Sequence, residues 1–229
     1  MEKKQIVFLH GYLSDKSAFA AQEKFFSRYF ECFSFDMPGF GKNTFMPYPY
    51  ALDDYVAFVK EYMDKNRIVR PHVVAHSFGA RVAVKAAAQD KTLFSSLVLT
   101  GAAGMKPRRT LAYRVKKLRF RVLKRFVPRE RLEKYYSPDY RMLGDVMRQS
   151  FVKIVGEHLE SCAARVKNPT LLVYGEKDRE TPLYMAKRYN KLIADSRLII
   201  IKDVGHFCFA ERPAAFNYPV REFLLGNKE

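Results

Sequence analysis

The feature that most constrains the fold is an alternation of short apolar segments with longer helical patterns along 229 residues. The apolar segments are typical of strands and cover residues 6–10, 32–36, 72–75, 96–100, 170–174 and 198–202. The helical patterns cover residues 17–29, 52–65, 78–89, 183–192 and 213–225. The strand segments are nearly continuous hydrophobic runs, as expected when helices cover both faces of a sheet. The alternation therefore predicts an α/β fold with a mostly parallel central sheet of about six strands.

One long segment, residues 102–165, interrupts this alternation. It has helical periodicity and three prolines, but no strand pattern. We expect it to form a helical cap inserted after the fourth strand. The core domain would then consist of residues 1–101 and 166–229.

Positive charge is concentrated in part of this cap. Residues 106–134 contain thirteen lysines and arginines and only two acids, which accounts for +11 of the formal net charge of +17. Three interpretations remain open: a solvated outer face, peripheral contact with an anionic membrane, and attraction of an anionic substrate. Nucleic-acid binding is not favoured, because no recognition motif accompanies the charge.

Other features of the sequence argue against several classes of protein. No apolar run reaches the length of a membrane span, and no secretory signal is recognised. Cys32, Cys162 and Cys208 are widely spaced, which predicts neither a disulfide framework nor a zinc site. We expect a cytoplasmic protein that needs no metal and no cofactor, since no phosphate-binding glycine fingerprint is present either.

The segment Ala75-His76-Ser77-Phe78-Gly79 joins the third predicted strand to the helix that follows. A serine at such a turn lies at a helix N-terminus, where the helix dipole and free N–H groups favour negative charge. The pattern corresponds to G-x-S-x-G, with Ala75 in place of the first glycine. The alternative interpretation is that Ser77 only caps the helix.

Two side chains of complementary chemistry follow later strands. Asp178 comes after the fifth predicted strand and His206 after the sixth. In open α/β sheets such residues gather at the carboxyl ends of the strands. A serine hydroxyl needs a base to accept its proton, and the base needs a carboxylate to orient it. The order Ser, Asp, His is the one expected with a serine at a strand-to-helix turn.

With these residues in place, the chain resembles the α/β-hydrolase superfamily over nearly its whole length. The resemblance is carried by five motifs, each at the end of a predicted strand: His10-Gly11-Tyr12, Asp36-Met37-Pro38-Gly39-Phe40-Gly41, the turn around Ser77, Gly175-Glu176-Lys177-Asp178 and Gly205-His206. The chain begins at what resembles the family's third strand. We therefore expect the α/β-hydrolase fold without its first two strands.

The resemblance implies roles for individual residues. The implied catalytic residues are Ser77 as nucleophile, Asp178 as acid and His206 as general base. The implied oxyanion hole consists of the N–H groups of Phe78 and Tyr12, with Gly11 leaving room for the backbone.

Substrate-pocket candidates and competing site residues complete this picture. The aromatic and apolar side chains suggest a pocket lined in part by Phe40, Met105 and Phe207. Competing candidates remain open for the base and the acid, and they are His10, His76, Glu176, Glu180 and Asp203.

These residues imply a serine hydrolase that cleaves an ester or related acyl bond of a small hydrophobic substrate through an acyl-serine intermediate. Two alternatives remain open. One is a carbon–carbon bond hydrolase that uses the same triad. The other is a non-catalytic binding protein that acts through its basic cap at anionic membranes.

Overall fold

The central element of the computed structural model, which describes residues 3–108, 140 and 143–226, is one six-stranded sheet. The strands are β1 (Gln5–Leu9), β2 (Glu31–Ser34), β3 (His72–His76), β4 (Ser96–Thr100), β5 (Thr170–Gly175) and β6 (Ser196–Ile201). Their order across the sheet is β2-β1-β3-β4-β5-β6, and every neighbouring pair is parallel. The predicted α/β fold with a parallel sheet is confirmed.

Helices connect the strands. They are α1 (Ala20–Phe26), α2 (Leu52–Lys65), α3 (Phe78–Gln89), α4 (Asp145–Gly156), α5 (Glu160–Ala163), α6 (Leu183–Leu192), α7 (Cys208–Glu211) and α8 (Pro213–Leu225). Four of them, α2, α3, α6 and α8, have the bounds that the sequence predicts. The first predicted helix is divided, because a 3-10 turn at Lys16–Phe19 precedes α1.

The hydrophobic core lies in two layers, one on each face of the sheet. Alternate residues of β1 separate into them: Val7 and Leu9 pack in one layer, and Ile6 and Phe8 in the other. Helices α2, α3 and α6 cover the first face, whereas α1 and α8 cover the second. The four inner strands are almost wholly buried and the edge strands β2 and β6 are not. This burial explains why the inner strands are continuous apolar runs.

Local chemistry accounts for several helix ends. The Asp54 carboxylate accepts a hydrogen bond from the Ala51 N–H at 2.7 Å, which caps α2. Pro213 begins α8, and Gly226 ends it in the left-handed conformation, with φ of 78°.

Most of the predicted cap, including nearly all of the basic segment 106–134, lies outside the described residues. Within the predicted insertion the structure shows α4 and α5, which agree with the helical pattern of this part of the sequence. Among the described residues, no helix combines the length and apolar composition needed to cross a membrane.

Candidate active site

Ser77 lies between β3 and α3 in a strained backbone conformation. Its φ of 49° and ψ of −101° place it in a region that residues other than glycine rarely adopt. The Ser77 N–H donates to the carbonyl of Thr100 at 3.1 Å, and the Ser77 carbonyl accepts from the N–H groups of Arg81 and Ala103. Its hydroxyl makes no capping hydrogen bond to α3. Ser77 therefore occupies the cap position without acting as a side-chain cap, and its hydroxyl is free for other chemistry.

Close approach between the Ser77 turn and the end of β1 requires glycine at position 79. A Cβ on Gly79 would lie 2.3 Å from the carbonyl oxygen of Leu9, closer than real Cβ contacts. The Gly79 N–H also donates to the His10 carbonyl at 3.1 Å. Ala75, which replaces the first glycine of the motif, is fully buried in β3 opposite Leu9.

The segments after β5 and β6 bring Asp178 and His206 together. Gly175 permits this approach, since a Cβ there would lie 2.1 Å from the carbonyl oxygen of Gly205. His206 Nδ1 donates to Asp178 Oδ2 at 2.8 Å, and both residues are buried. This hydrogen bond leaves Nε2 of the neutral ring as the atom that can accept a proton.

Asp178 is held as a carboxylate by a dense set of donors. Burial raises its pKa, but the hydrogen bonds from His206 and Thr181 outweigh burial and lower the pKa below its usual value. The N–H groups of Glu180 and Thr181 donate to Oδ1 at 2.9 and 2.8 Å, and the Thr181 hydroxyl donates to Oδ2 at 2.7 Å. Thr181 was not identified from the sequence. Its position three residues after the acid is the one signal that it offers.

The His206 ring lies next to the Ser77 turn. A Cβ on Gly101, the residue after Thr100, would lie 3.0 Å from two atoms of the ring. His76, the neighbour of Ser77, has its ring centroid 4.5 Å from that of His206 and its Nε2 3.2 Å from the His206 carbonyl. The structure therefore brings His206 and Asp178 together at the carboxyl ends of the strands, beside Ser77.

The contact between serine and histidine is not made in this conformation. The structure contains no hydrogen bond between the Ser77 hydroxyl and His206, both of which are described. Instead, Nε2 of His206 faces the carboxylate of Glu180 at 3.5 Å. The Glu180 side chain is 68% exposed, so it is free to move. A catalytic hydrogen bond often tightens only when substrate binds.

The loop after β1 passes close to this turn. A Cβ on Gly11 would lie 2.7 Å from His76 Nδ1 and 3.7 Å from Ser77 Cβ. Within the described chain, the N–H groups of Tyr12 and Phe78 have no acceptor. The neighbouring N–H groups of Ser77 and Gly79 are both occupied.

His10 holds this loop rather than acting as a base. Its Nδ1 donates to the Gly11 carbonyl at 2.8 Å, and its Nε2 accepts from the Met37 N–H at 3.0 Å. Both ring nitrogens are therefore used. Burial lowers the pKa of His10, so the ring is neutral and a poor acceptor for a further proton.

The three pocket candidates lie in different environments. Phe40 is buried and packs against the rings of Tyr12 and Phe78, at centroid distances of 4.9 and 5.6 Å. Phe207 is half-exposed next to His76. Met105 lines a cavity of about 400 Å³ beside the site.

This cavity shares residues with the site. Glu180 and Thr181 line it, together with Arg81, Val155 and Met185. Arg81 was also not identified from the sequence, where it stands as a charged residue in an otherwise apolar helix start.

Two further titratable side chains, Cys208 and His72, are not arranged for catalysis. Burial raises the pKa of Cys208 to about 11, so its thiol is protonated at neutral pH, and it contacts Thr100. His72 lies at the opposite end of β3 and binds Ser96 at 2.8 Å. In the described part of the chain, no group of three or more His, Cys, Asp or Glu side chains is arranged to hold a metal ion.

Comparisons with known proteins agree with this architecture. The chain is 24% identical to the human monoacylglycerol lipase ABHD6, with 98% of this chain and 76% of the relative covered. It is 25% identical to the 2-hydroxy-6-oxononadienedioate/2-hydroxy-6-oxononatrienedioate hydrolase of Pseudomonas sp, with 82% of this chain and 75% of the relative covered. In structure it is similar to a meta-cleavage product hydrolase of Pseudomonas fluorescens IP01, with a TM-score of 0.76, 22% identity and coverage of 99% and 92%. The family model described as "Alpha/beta hydrolase family" matches residues 6–217, and the chain therefore belongs to the α/β-hydrolase family.

Proposed function

We propose that this protein is a serine hydrolase that cleaves an ester bond of a small, hydrophobic acyl substrate. The observation that carries the proposal is the buried His206–Asp178 pair, which lies beside a strained serine whose hydroxyl is not used as a helix cap. Relatives such as the monoacylglycerol lipase support an ester as the bond that is cleaved.

In the proposed reaction, Ser77 Oγ attacks the carbonyl carbon of the ester while His206 Nε2 takes the hydroxyl proton. The resulting oxyanion is stabilised by the N–H groups of Phe78 and Tyr12, which have no acceptor within the described chain. His206 then gives its proton to the departing alcohol, and the acyl group stays on Ser77. Water attacks this acyl-serine with His206 as base, which releases the acid and restores the hydroxyl.

This cycle requires His206 Nε2 to exchange one neighbour for another. In the structure Nε2 faces Glu180 at 3.5 Å, and in the reaction it must face Ser77. The Asp178 hydrogen bond holds the other nitrogen during this exchange. Displacement of the exposed Glu180 side chain by substrate is the simplest way to permit it.

The test is loss of covalent labelling and of turnover in Ser77→Ala. The wild-type protein should be labelled by a serine-reactive fluorophosphonate and should hydrolyse 4-nitrophenyl esters, whereas Ser77→Ala should do neither. Ser27→Ala is the matched control, because Ser27 is exposed and its hydroxyl contacts only a backbone carbonyl. Unchanged labelling of Ser77→Ala would rule out the assignment.

A carbon–carbon bond hydrolase is the second candidate, supported by the relative from Pseudomonas sp. It would use the same three side chains on a diketone-like substrate. If the protein is labelled at Ser77 but hydrolyses no ester of any chain length, this candidate is favoured.

The three cysteines are unpaired thiols, which supports a reducing compartment such as the cytoplasm.

A surface role for the basic segment 106–134 remains a separate proposal. Its charge of +11 suits an anionic membrane surface or an anionic substrate. Pelleting with acidic and neutral vesicles tests it. Salt-sensitive binding to acidic vesicles alone would support membrane contact, and equal binding to both kinds would contradict it.

A further inference from the structure

A buried guanidinium lies in the cavity beside Ser77. Arg81 is 8% exposed and lines the cavity of about 400 Å³ described above. It is four residues after Ser77, in the first turn of α3. Its backbone N–H donates to the Ser77 carbonyl at 3.3 Å. The backbone of Arg81 is therefore bonded directly to that of the proposed nucleophile.

Only part of the guanidinium is used within the protein. Nη1 donates to the carbonyls of Ile154 and Glu157, at 2.7 and 2.9 Å. In residues 3–108, 140 and 143–226, Nε and Nη2 donate to no acceptor. Neither atom is fully enclosed by protein, and Arg81 is one of the residues that line the cavity. Two parallel N–H groups are thus available to a ligand.

Among the described residues Arg81 forms no direct ion pair, although the charges of Glu157 and Glu160 raise its pKa. Each of these acids pairs directly with another residue: Glu157 with Lys85 at 2.6 Å and Glu160 with Arg188 at 3.2 Å. Burial lowers the pKa of Arg81, yet a guanidinium stays protonated at neutral pH. Burial of a cation is costly to the folded protein, and these two acids offset only part of that cost because neither contacts the guanidinium directly. An anion in the cavity would offset more of it.

The cavity is continuous with the site. Thr181 lines it and bonds to Asp178, and Glu180 lines it and faces His206. Ala103, another lining residue, donates to the Ser77 carbonyl at 3.4 Å. Glu180 carries the opposing charge, but its exposed side chain is screened by solvent, unlike the buried Arg81. Among the described lining residues, Arg81 is therefore the charged side chain that is buried.

We propose that Nε and Nη2 of Arg81 bind a carboxylate carried by the substrate, so that the preferred substrate is an ester that also bears a negative charge. This inference rests on the proposed function, because Ser77 would cleave the ester of the same molecule whose carboxylate Arg81 binds. The fork of two N–H groups matches the two oxygens of a carboxylate. The apolar side chains of Met105, Val155 and Met185 line the same cavity and suit the carbon chain of such a molecule.

Binding is measured first, in a form that needs no turnover. Ser77→Ala protein is titrated by calorimetry with hexanoate and with hexan-1-ol, which differ in the carboxylate. Hexanoate should bind on the order of 10- to 100-fold more tightly, the size of a hydrogen bond to a charged group. Adding Arg81→Met should abolish this preference and leave hexan-1-ol binding unchanged.

Two further variants keep this test decisive. Lys187→Met removes an exposed positive charge from α6, which also contributes to the cavity, and should preserve the preference for hexanoate. Arg81→Lys keeps the charge and loses the fork, and should retain only part of the preference; it also replaces Arg81→Met if that variant does not fold. Equal binding of the two ligands to Ser77→Ala, or equal loss of preference in Lys187→Met, would overturn the proposal.

Turnover separates this inference from the proposed function. The wild-type protein is given mono(4-nitrophenyl) adipate and 4-nitrophenyl hexanoate, in which a carboxylate replaces a terminal methyl group. Arg81→Met should raise the KM for the adipate ester on the order of tenfold or more. It should change the KM for 4-nitrophenyl hexanoate less than about twofold. Ser77-dependent hydrolysis without any preference for hexanoate in the calorimetry refutes the carboxylate site alone. Arg81-dependent hexanoate binding without hydrolysis or labelling refutes the proposed function alone.

Discussion

Replacement of Asp178 by asparagine changes one atom of the site and tests the tautomer of His206. In the structure Oδ1 of Asp178 accepts from two backbone N–H groups, and Oδ2 accepts from Thr181 Oγ1 and His206 Nδ1. An asparagine must keep its single oxygen towards the backbone donors, because those cannot turn away. Its NH₂ group then points at His206 Nδ1, which can no longer donate.

The expected effect follows from that reversal. With Nδ1 forced to accept, the ring proton moves to Nε2, which can then take no proton from Ser77. Loss of the working tautomer in a Ser-His-Asp site lowers kcat by about 10⁴-fold, or roughly 5 kcal/mol in the activation barrier. The substitution preserves volume, and we expect the KM for an ester substrate to change little.

The assay is hydrolysis of a 4-nitrophenyl ester, together with the rate of fluorophosphonate labelling. Asp203→Asn is the matched control, since Asp203 is an exposed acid after β6 that pairs with Lys177 at 2.7 Å. The control should retain wild-type kcat. A less than tenfold loss in Asp178→Asn, or an equal loss in Asp203→Asn, would refute the assignment of Asp178.

Two predictions concern stability. Gly79→Ala should destabilise the protein by about 1–3 kcal/mol or more, because its Cβ would lie 2.3 Å from the Leu9 carbonyl oxygen. In Gly156→Ala the new Cβ has nothing within 4 Å, so this control should be neutral or stabilising. Urea unfolding measures both variants. Burial lowers the pKa of His72 to about 4. As the pH falls, His72 therefore binds a proton near pH 6.5 in the unfolded chain but only near pH 4 in the folded protein. The free energy of unfolding should therefore fall between pH 6.5 and 4, by about 1.4 kcal/mol per pH unit from this group, and His72→Asn should flatten the decline. An equally steep decline in His72→Asn, or equal stability of the two glycine variants, would contradict the respective prediction.

Much of the fold could be predicted because its signals are local. Apolar runs such as that of β3 and the periodicity of α3 depend on residues next to each other in the chain, and both elements lie where the sequence placed them. The bounds of the two edge strands of the sheet were predicted less accurately. The sequence placed the second strand at 32–36 and the sixth at 198–202, whereas β2 ends at Ser34 and β6 begins at Ser196, because edge strands are partly exposed and their apolar pattern is weaker. The short α7 was missed for a similar reason, since four residues carry little periodicity.

The sequence by itself determined which side chains stand at the carboxyl ends of the strands, since all strands of a parallel sheet run in the same direction and the residues that follow them lie at the same edge. Ser77, Asp178 and His206 were named on that basis. Only the tertiary structure decided what surrounds them: that Thr181 bonds to Asp178, that Glu180 faces His206, and that Arg81 is buried with no direct ion pair in the described chain. The positions of Glu180 and Arg81 depend on distances between residues far apart in the chain and on the exclusion of water from the packed interior. Neither is encoded in any single segment.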